Sequence, residues 1–173
     1  MIFFGHLGLT TAAFKGYNII EEERVIDYRM VLVGSILPDI IDKPIGSYLF
    51  KSTFHNSRIF AHTFLFTFLL LFLGTILLLK KKNNKLLTLG AATGAHLVLD
   101  SMWLYKGILF WPFFGWKFPE RANGNWAMDS FQKLFSDPNY FVPEIIGFII
   151  IAFLFLRLVK NKELKQFIHK GKL

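Results

Sequence analysis

The sequence predicts an all-α polytopic membrane helix bundle of four or five helices, and three observations carry that reading. More than half of the 173 residues are hydrophobic and 21 are Phe, an excess over what a soluble chain of this size needs for its core. Three apolar runs are near the length of about 20 residues that crosses a hydrocarbon layer of about 30 Å. The net charge of +8 gathers just beyond such runs. One cluster is Lys80, Lys81, Lys82 and Lys85; the other is Arg157, Lys160, Lys162, Lys165, Lys170 and Lys172. Positive-inside bias puts basic residues there, so the charge points to membrane lipid and argues against nucleic acid as a partner. With no cysteine, disulfides and thiolate metal ligands are excluded.

Taken in order, residues 2–14 are apolar but short, and form a fifth helix or an interfacial segment. No basic residue precedes Lys15, so the stretch does not read as a cleaved signal peptide. Tyr28 to Phe50 is apolar but interrupted by Pro38, Asp39, Asp42, Lys43 and Pro44. This predicts a helix broken near Pro38, tolerated where protein neighbours satisfy the freed backbone. Ile59 to Leu79, "IFAHTFLFTFLLLFLGTILLL", is the clearest span; Leu86 to Tyr105 and Phe141 to Val159 are the others. Between them, about Lys106 to Asn139 reads as a loop rich in Trp, Phe, Gly and Pro. Trp103, Trp111, Trp116 and Trp126 suit an interfacial layer. Residues 1–173 form a single domain, with about 160–173 as its basic tail.

If both basic clusters are cytoplasmic, the span 59–79 runs inward, 86–105 outward and 141–159 inward. The aromatic loop is then outside and the C-terminus inside, in a multi-pass cell-membrane protein. Lys15, Arg24 and Arg29 fall inside too, in company with Glu21, Glu22, Glu23 and Asp27, which weigh little in this rule. On this map His6, Asp39, His62, His96 and Asp100 all fall in one outer layer, although lysines and arginines alone set the orientation.

An ionised Asp deep in a bilayer costs about 2.5–3.5 kcal/mol on insertion scales, so such groups face the bundle interior and pair with something. His96 and Asp100, four residues apart, share a helix face. Only Lys43, Arg58 and Lys106 bring positive charge to this layer. A divalent metal compensates better, because imidazole and carboxylate are its ligands. Three His and two Asp suffice for one ion, or two with a bridging carboxylate. A metal with an open position makes water nucleophilic near neutral pH, which points to hydrolysis.

Plainer readings stand beside this one. His6 and His62 taken singly read as helix-end or interfacial polar groups, the His96–Asp100 pair as an interhelical contact, and Asp39 as a helix-start carboxylate. Asp42 reads as a partner of Lys43, and Glu144 as a first-turn acid rather than a ligand. His55 and His169 read as surface residues. Convergence of five residues in one layer favours the metal.

"GSILPDIIDKP" (Gly34 to Pro44), "RIFAHT" (Arg58 to Thr63), "HLVLD" (His96 to Asp100), an early His6 and a later "FWPFFGW" (Phe110 to Trp116) occur in that order. The set resembles the YdjM-like family of membrane-bound metal-dependent hydrolases over roughly residues 1–120. That family in turn is similar to the zinc-dependent phospholipase C and P1 nuclease superfamily. The resemblance implies that Asp39, His62, His96 and Asp100 hold a first metal and that Asp100 bridges to a second held by His6. It also implies that Asp39 is the general base. The superfamily's third metal uses two further His and a Glu downstream; no such His pair follows Asp100, so at most two ions are expected, zinc first and manganese as the alternative. Asp42, spaced differently from the family's Asp-x-Asp, is a spare ligand at most.

The expected function is metal-dependent hydrolysis of a phosphoester in a lipid or lipid-linked molecule, with Arg58 and Lys43 contacting phosphate. The alternatives are an ion or metal transporter, since broken helices also line transport sites, and a membrane scaffold with a structural metal.

Overall fold

The computed structural model describes residues 1–20, 26–120 and 126–173. Glu21 to Glu23 and Arg24 lie outside the described residues, as does the side chain of Trp126. Every regular element among the described residues is helical. The long helices are α1 (Phe4–Ile20) and α2 (Tyr28–Pro44), which passes into a wider π-type turn over Ile45–Leu49. A short α3 (Lys51–Phe54) leads to α4 (Phe64–Lys81) and α5 (Lys85–Leu99). After a one-turn α6 (Lys106–Leu109) come α7 (Trp126–Ser136), α8 (Pro138–Lys160) and α9 (Leu164–Lys170).

Helix starts follow from short polar side chains set before apolar runs, each taking an N–H that the first turn leaves unpaired. Asp27 accepts from Arg29 N at 3.1 Å, Thr63 from Phe66 N at 3.1 Å, and Asp137 from Asn139 N at 2.9 Å. At the other ends, Lys82 closes α4 and Gly171 closes α9, both in left-handed backbone.

Five long helices, α1, α2, α4, α5 and α8, run in alternating directions, with α1 against α8 and α2, and α5 against α2 and α4. The helices α4 and α8 are long and apolar enough to cross a membrane, yet only 11 % and 17 % of those stretches is buried. The core helix of a soluble protein has the opposite character. Their outward faces carry Phe64, Phe68, Phe72, Ile149, Phe153 and Leu156, whereas the buried interior holds Thr10, Thr11, Ser35, Thr93, Asp42 and three His. Apolar outside and polar inside suits a hydrocarbon solvent.

The chain departs from expectation at four places. Helix α2 does not break at Pro38 but continues to Pro44. Proline removes the N–H that would reach the carbonyl of Gly34, and the Thr93 hydroxyl of α5, which donates to the Leu89 carbonyl of its own helix at 2.9 Å, also reaches that oxygen at 3.3 Å. Next to it, His96 Nδ1 donates to the Ser35 carbonyl at 2.7 Å. Secondly, α4 begins at Phe64 rather than Ile59, because residues 59–62 turn their N–H groups onto Asp42. Thirdly, the aromatic loop contains α7, whose apolar faces include the exposed Phe131 and Phe135. Lastly, the basic tail is folded: α9 docks on the start of α2, where Arg29 donates to the carbonyls of Ile168 and His169 at 2.8 and 3.1 Å. Trp103 and Trp116 are exposed, as an interfacial layer requires.

Two contacts seat α1. Gly8 faces Gly147 of α8 so closely that a Cβ on either would run into the other helix's backbone, the small-residue approach by which membrane helices associate. One turn away, the buried Glu144 of α8 accepts from the N–H groups of Ile2 (2.6 Å), Phe3 (3.1 Å) and Phe4 (2.8 Å). It is therefore neither a metal ligand nor a first-turn acid of its own helix, which begins six residues earlier at Pro138: it caps α1.

Glu144→Ala should lower the unfolding free energy by about 2 kcal/mol or more, since each unsatisfied buried N–H costs about 1–3 kcal/mol. Thermal unfolding in detergent, followed by tryptophan fluorescence, reads the loss; an unchanged Tm would refute the cap. A second expectation concerns Asp27, whose carboxyl is held below the ordinary carboxylate range chiefly by its hydrogen bond to the Arg29 guanidinium. A lowered folded pKa means stability that is present above the unfolded value and lost as pH falls through the folded one. Asp27→Asn should accordingly lower Tm at pH 7, and the difference should close in acid; a pH-independent difference would rule out the charge as its cause.

Candidate metal centre

At one end of the bundle, alternation of helix direction brings together the amino ends of α1, α4 and α8 and the carboxyl ends of α2 and α5. His6 lies in the first turns of α1, Asp39 and Asp42 in the last turns of α2, and His62 just before α4. His96 lies in the last turn of α5, and Asp100 caps it, with its N–H on the His96 carbonyl at 2.9 Å. All five predicted ligands meet here. His6, His62 and His96 are fully buried, Asp100 is 8 % exposed and Asp39 somewhat more open.

The tautomers of two histidines follow from their partners. His96 Nδ1 faces a carbonyl oxygen, which only accepts, so this nitrogen carries the proton. Asp42 is fully buried and accepts from Ile59 N (2.8 Å), Ala61 N (2.9 Å) and His62 N (3.1 Å). With Oδ2 already accepting from two backbone N–H groups, His62 Nδ1, 2.7 Å from it, is the donor. In their neutral forms both rings then present bare Nε2 lone pairs, and these face one another at 3.4 Å. Two lone pairs at that distance repel unless a cation or proton lies between them.

The carboxylates complete the pattern. Asp39 gives one oxygen to Lys43 Nζ at 2.6 Å, while Oδ1 stands 3.5 Å from His62 Nε2. Asp100 gives one oxygen to Arg58 at 2.6 Å, while Oδ1 stands 3.1 Å from His6 Nε2 and 3.3 Å from the backbone nitrogen of Met1. The geometry to Asp100 is not that of a hydrogen bond, and neither ring nitrogen of His6 has a hydrogen-bond partner. His6 stacks on His96 with ring centroids 4.0 Å apart. Two sets of ligand atoms result, each within 4.8 Å of one another: Asp39, His62 and His96, and His6, His96 and Asp100. Either set could hold a divalent cation by its chemistry. One His96 nitrogen serves only one ion.

Lys43 and Arg58 sit at the rim with about a fifth of each side chain exposed, and the Arg58 guanidinium lies 5.3 Å from the centroid of the Tyr105 ring. Their head groups rest on Asp39 and Asp100. Over the 59–62 segment pack Phe54, Phe60, Trp111 and Phe118, with ring centroids 5.1–5.6 Å apart for Phe60 and its three neighbours. His55 and His169 are exposed, as read. The sequence reading missed the part played by Asp42: it is neither the partner of Lys43, which pairs with Asp39, nor a spare ligand. Its place in an apolar segment was the signal, because a carboxylate that becomes buried there must collect donors.

A family model described as YdjM inner membrane protein matches residues 1–164, so the chain belongs to that family. No curated protein and no solved structure matches it.

Asp42→Ala should destabilise the metal-free protein by about 3–5 kcal/mol, because the donors it satisfies are left buried. Asp39→Ala, which frees no backbone group, should cost less than half of that. Unfolding of both variants in chelator-treated detergent solution is the check; equal losses would mean that Asp42 does not hold the 59–62 segment.

Proposed function

We propose that this YdjM-family chain is a multi-pass, membrane-embedded metal-dependent hydrolase acting on a phosphoester of a lipid or lipid-linked molecule. The observation that carries the metal is the approach of two imidazole nitrogens, His62 Nε2 and His96 Nε2, at 3.4 Å with Asp39 Oδ1 beside them, on rings whose Nδ1 atoms already hold a proton, so that a cation or a shared proton must lie between them. Neutral imidazole and carboxylate oxygen together are zinc ligands, and manganese suits the oxygen-richer alternative. Asp39, His62 and His96 would hold one ion, and Asp100 and His6 would complete it or hold a second. Such an ion supplies Lewis acidity that makes water nucleophilic near neutral pH.

The remaining work falls to the side chains. Asp42 keeps the His62 ring in the tautomer that points Nε2 inward, and the Ser35 carbonyl does the same for His96. Lys43 holds the outer oxygen of Asp39, so the inner oxygen would either ligate the ion or, with His6 and Asp100 completing the ligands, orient the attacking water and accept its proton. Arg58 and Lys43, at the rim, would meet the phosphoryl oxygens, the guanidinium offering a planar fork. The aromatic segment with exposed Phe113, Phe114 and Trp116 puts this end of the bundle at head-group depth. With the basic clusters cytoplasmic, the site opens toward the outer face.

The test is metal content of detergent-purified protein by plasma mass spectrometry, followed by a screen of phosphoester lipids. About one or two zinc or manganese ions per chain are expected, lost in His62→Ala and Asp100→Ala. Hydrolysis should disappear in those variants and fall about 100-fold or more in Asp39→Asn, in line with loss of a general base. A wild type that stays metal-free after reconstitution would overturn the reading. Tight metal without hydrolysis would leave a structural ion, and metal flux into liposomes would make the chain a transporter.

A further inference from the structure

At the opposite end of the helices from the His–Asp cluster, the structure holds a cavity of about 900 Å³, within the size range of small-molecule sites. It lies between α1, α4, α5 and the docked tail. Along α1, the nearest lining residue, Ala13, is seven residues from His6, and along α5, Ala91 is five residues from His96, so the two places are about 10 and 8 Å apart on those helices. The cavity cannot serve the hydrolytic site directly.

Its walls are of two kinds. Phe14, Tyr17, Leu78 and Leu87 give it apolar walls, and Lys82, Lys85 and Lys170 give it positive charge. The three lysines come from three different elements: the left-handed residue that closes α4, the first turn of α5, and the last turn of α9. Asp27 is the one acidic residue in the lining among the described residues. Both its oxygens are already held by Arg29, at 2.9 and 2.6 Å, and Lys85 stands 3.9 Å from one of them. The cavity is thus net positive. On α5 it extends from Lys85 to Ala91, about 9 Å along the axis, from the end of an apolar span toward its middle.

We infer that this cavity binds one anionic phospholipid, with the phosphate among Lys82, Lys85 and Lys170 and the upper acyl chain against Phe14, Tyr17 and Leu78. Basic pockets between membrane helices at the head-group level suit anionic lipids. A free anion has no use for the apolar walls, and a zwitterionic lipid brings no net charge to match the lysines. The tail has a part in it. Gly171, whose positive φ and contact with Asp27 leave no room for a Cβ, turns α9 so that its backbone bonds to Tyr28 and Arg29, and Lys170 comes with it.

The experiment uses the full chain in neutral detergent, titrated with dioleoyl phosphatidylglycerol and followed by native mass spectrometry and thermal shift. One lipid per chain should bind and raise Tm. Lys82→Gln with Lys170→Gln should weaken binding about tenfold, the scale expected when two near-surface lysines are lost. Lys80→Gln with Lys81→Gln removes the same amount of charge, from the end of α4 beside Lys82 but not from the cavity, and should leave the affinity within about twofold. Ala91→Phe, which fills the deep part, should also weaken binding. Equal weakening by the two lysine pairs would overturn the proposal in favour of diffuse surface attraction. So would equal affinity for phosphatidylcholine, or inorganic phosphate binding as tightly as the lipid.

Discussion

Asp42 is a carboxylate with no exposed surface, set one turn before the end of α2, and three backbone N–H groups and one imidazole N–H converge on it. That convergence ties the segment 59–62 to α2, fixes where α4 starts, and aims the His62 ring into the bundle. In apolar surroundings each of those donors would otherwise be unpaired, and a buried charge without donors is worse still. Charge and donors compensate each other. The aromatic cluster of Phe54, Phe60, Trp111 and Phe118 then closes over the segment and keeps water from competing.

The same economy of buried polar groups recurs around the site. The carbonyl that Pro38 leaves without its helical donor is reached by Thr93, and the adjacent carbonyl of Ser35 orients a histidine on α5. At the far side, Glu144 collects the first N–H groups of α1 and so sets the height of His6, while Gly8 and Gly147 set its distance from α8. Each imidazole of the cluster is therefore held by a different helix pair. Of the three, His6 alone lacks a hydrogen-bond partner at either nitrogen, its Nε2 standing 3.1 Å from Asp100 Oδ1.

Much of this was legible in the sequence. Composition and the basic clusters predicted a helical membrane bundle. The spacing of His96 and Asp100 put both on one face, and the alternation of spans put His6, Asp39 and His62 in the same layer. What was not legible was the role of the groups that do not face inward. Pro38 reads as a break because the helix's own backbone cannot answer it; the answer comes from Thr93, 55 positions later in the chain. Asp42 and Lys43 read as a pair because they are adjacent, but adjacent residues of a helix point about 100° apart. Lys43 instead reaches back four residues to Asp39, and Asp42 faces the 59–62 segment.

The sequence by itself determined which solvent the chain is built for, the number of long helices to within one, and which layer gathers the His and Asp. Those properties depend on hydropathy, charge placement and helical rise, all of which are local. Tertiary structure alone decided the proton positions on His62 and His96, the cap that Glu144 makes on α1, the burial of Asp42 and the docking of the basic tail beside a cavity. Each of these is a match between a donor and an acceptor on different elements. Such a match exists only once the helices have packed, because in hydrocarbon every polar group must find its partner inside the protein.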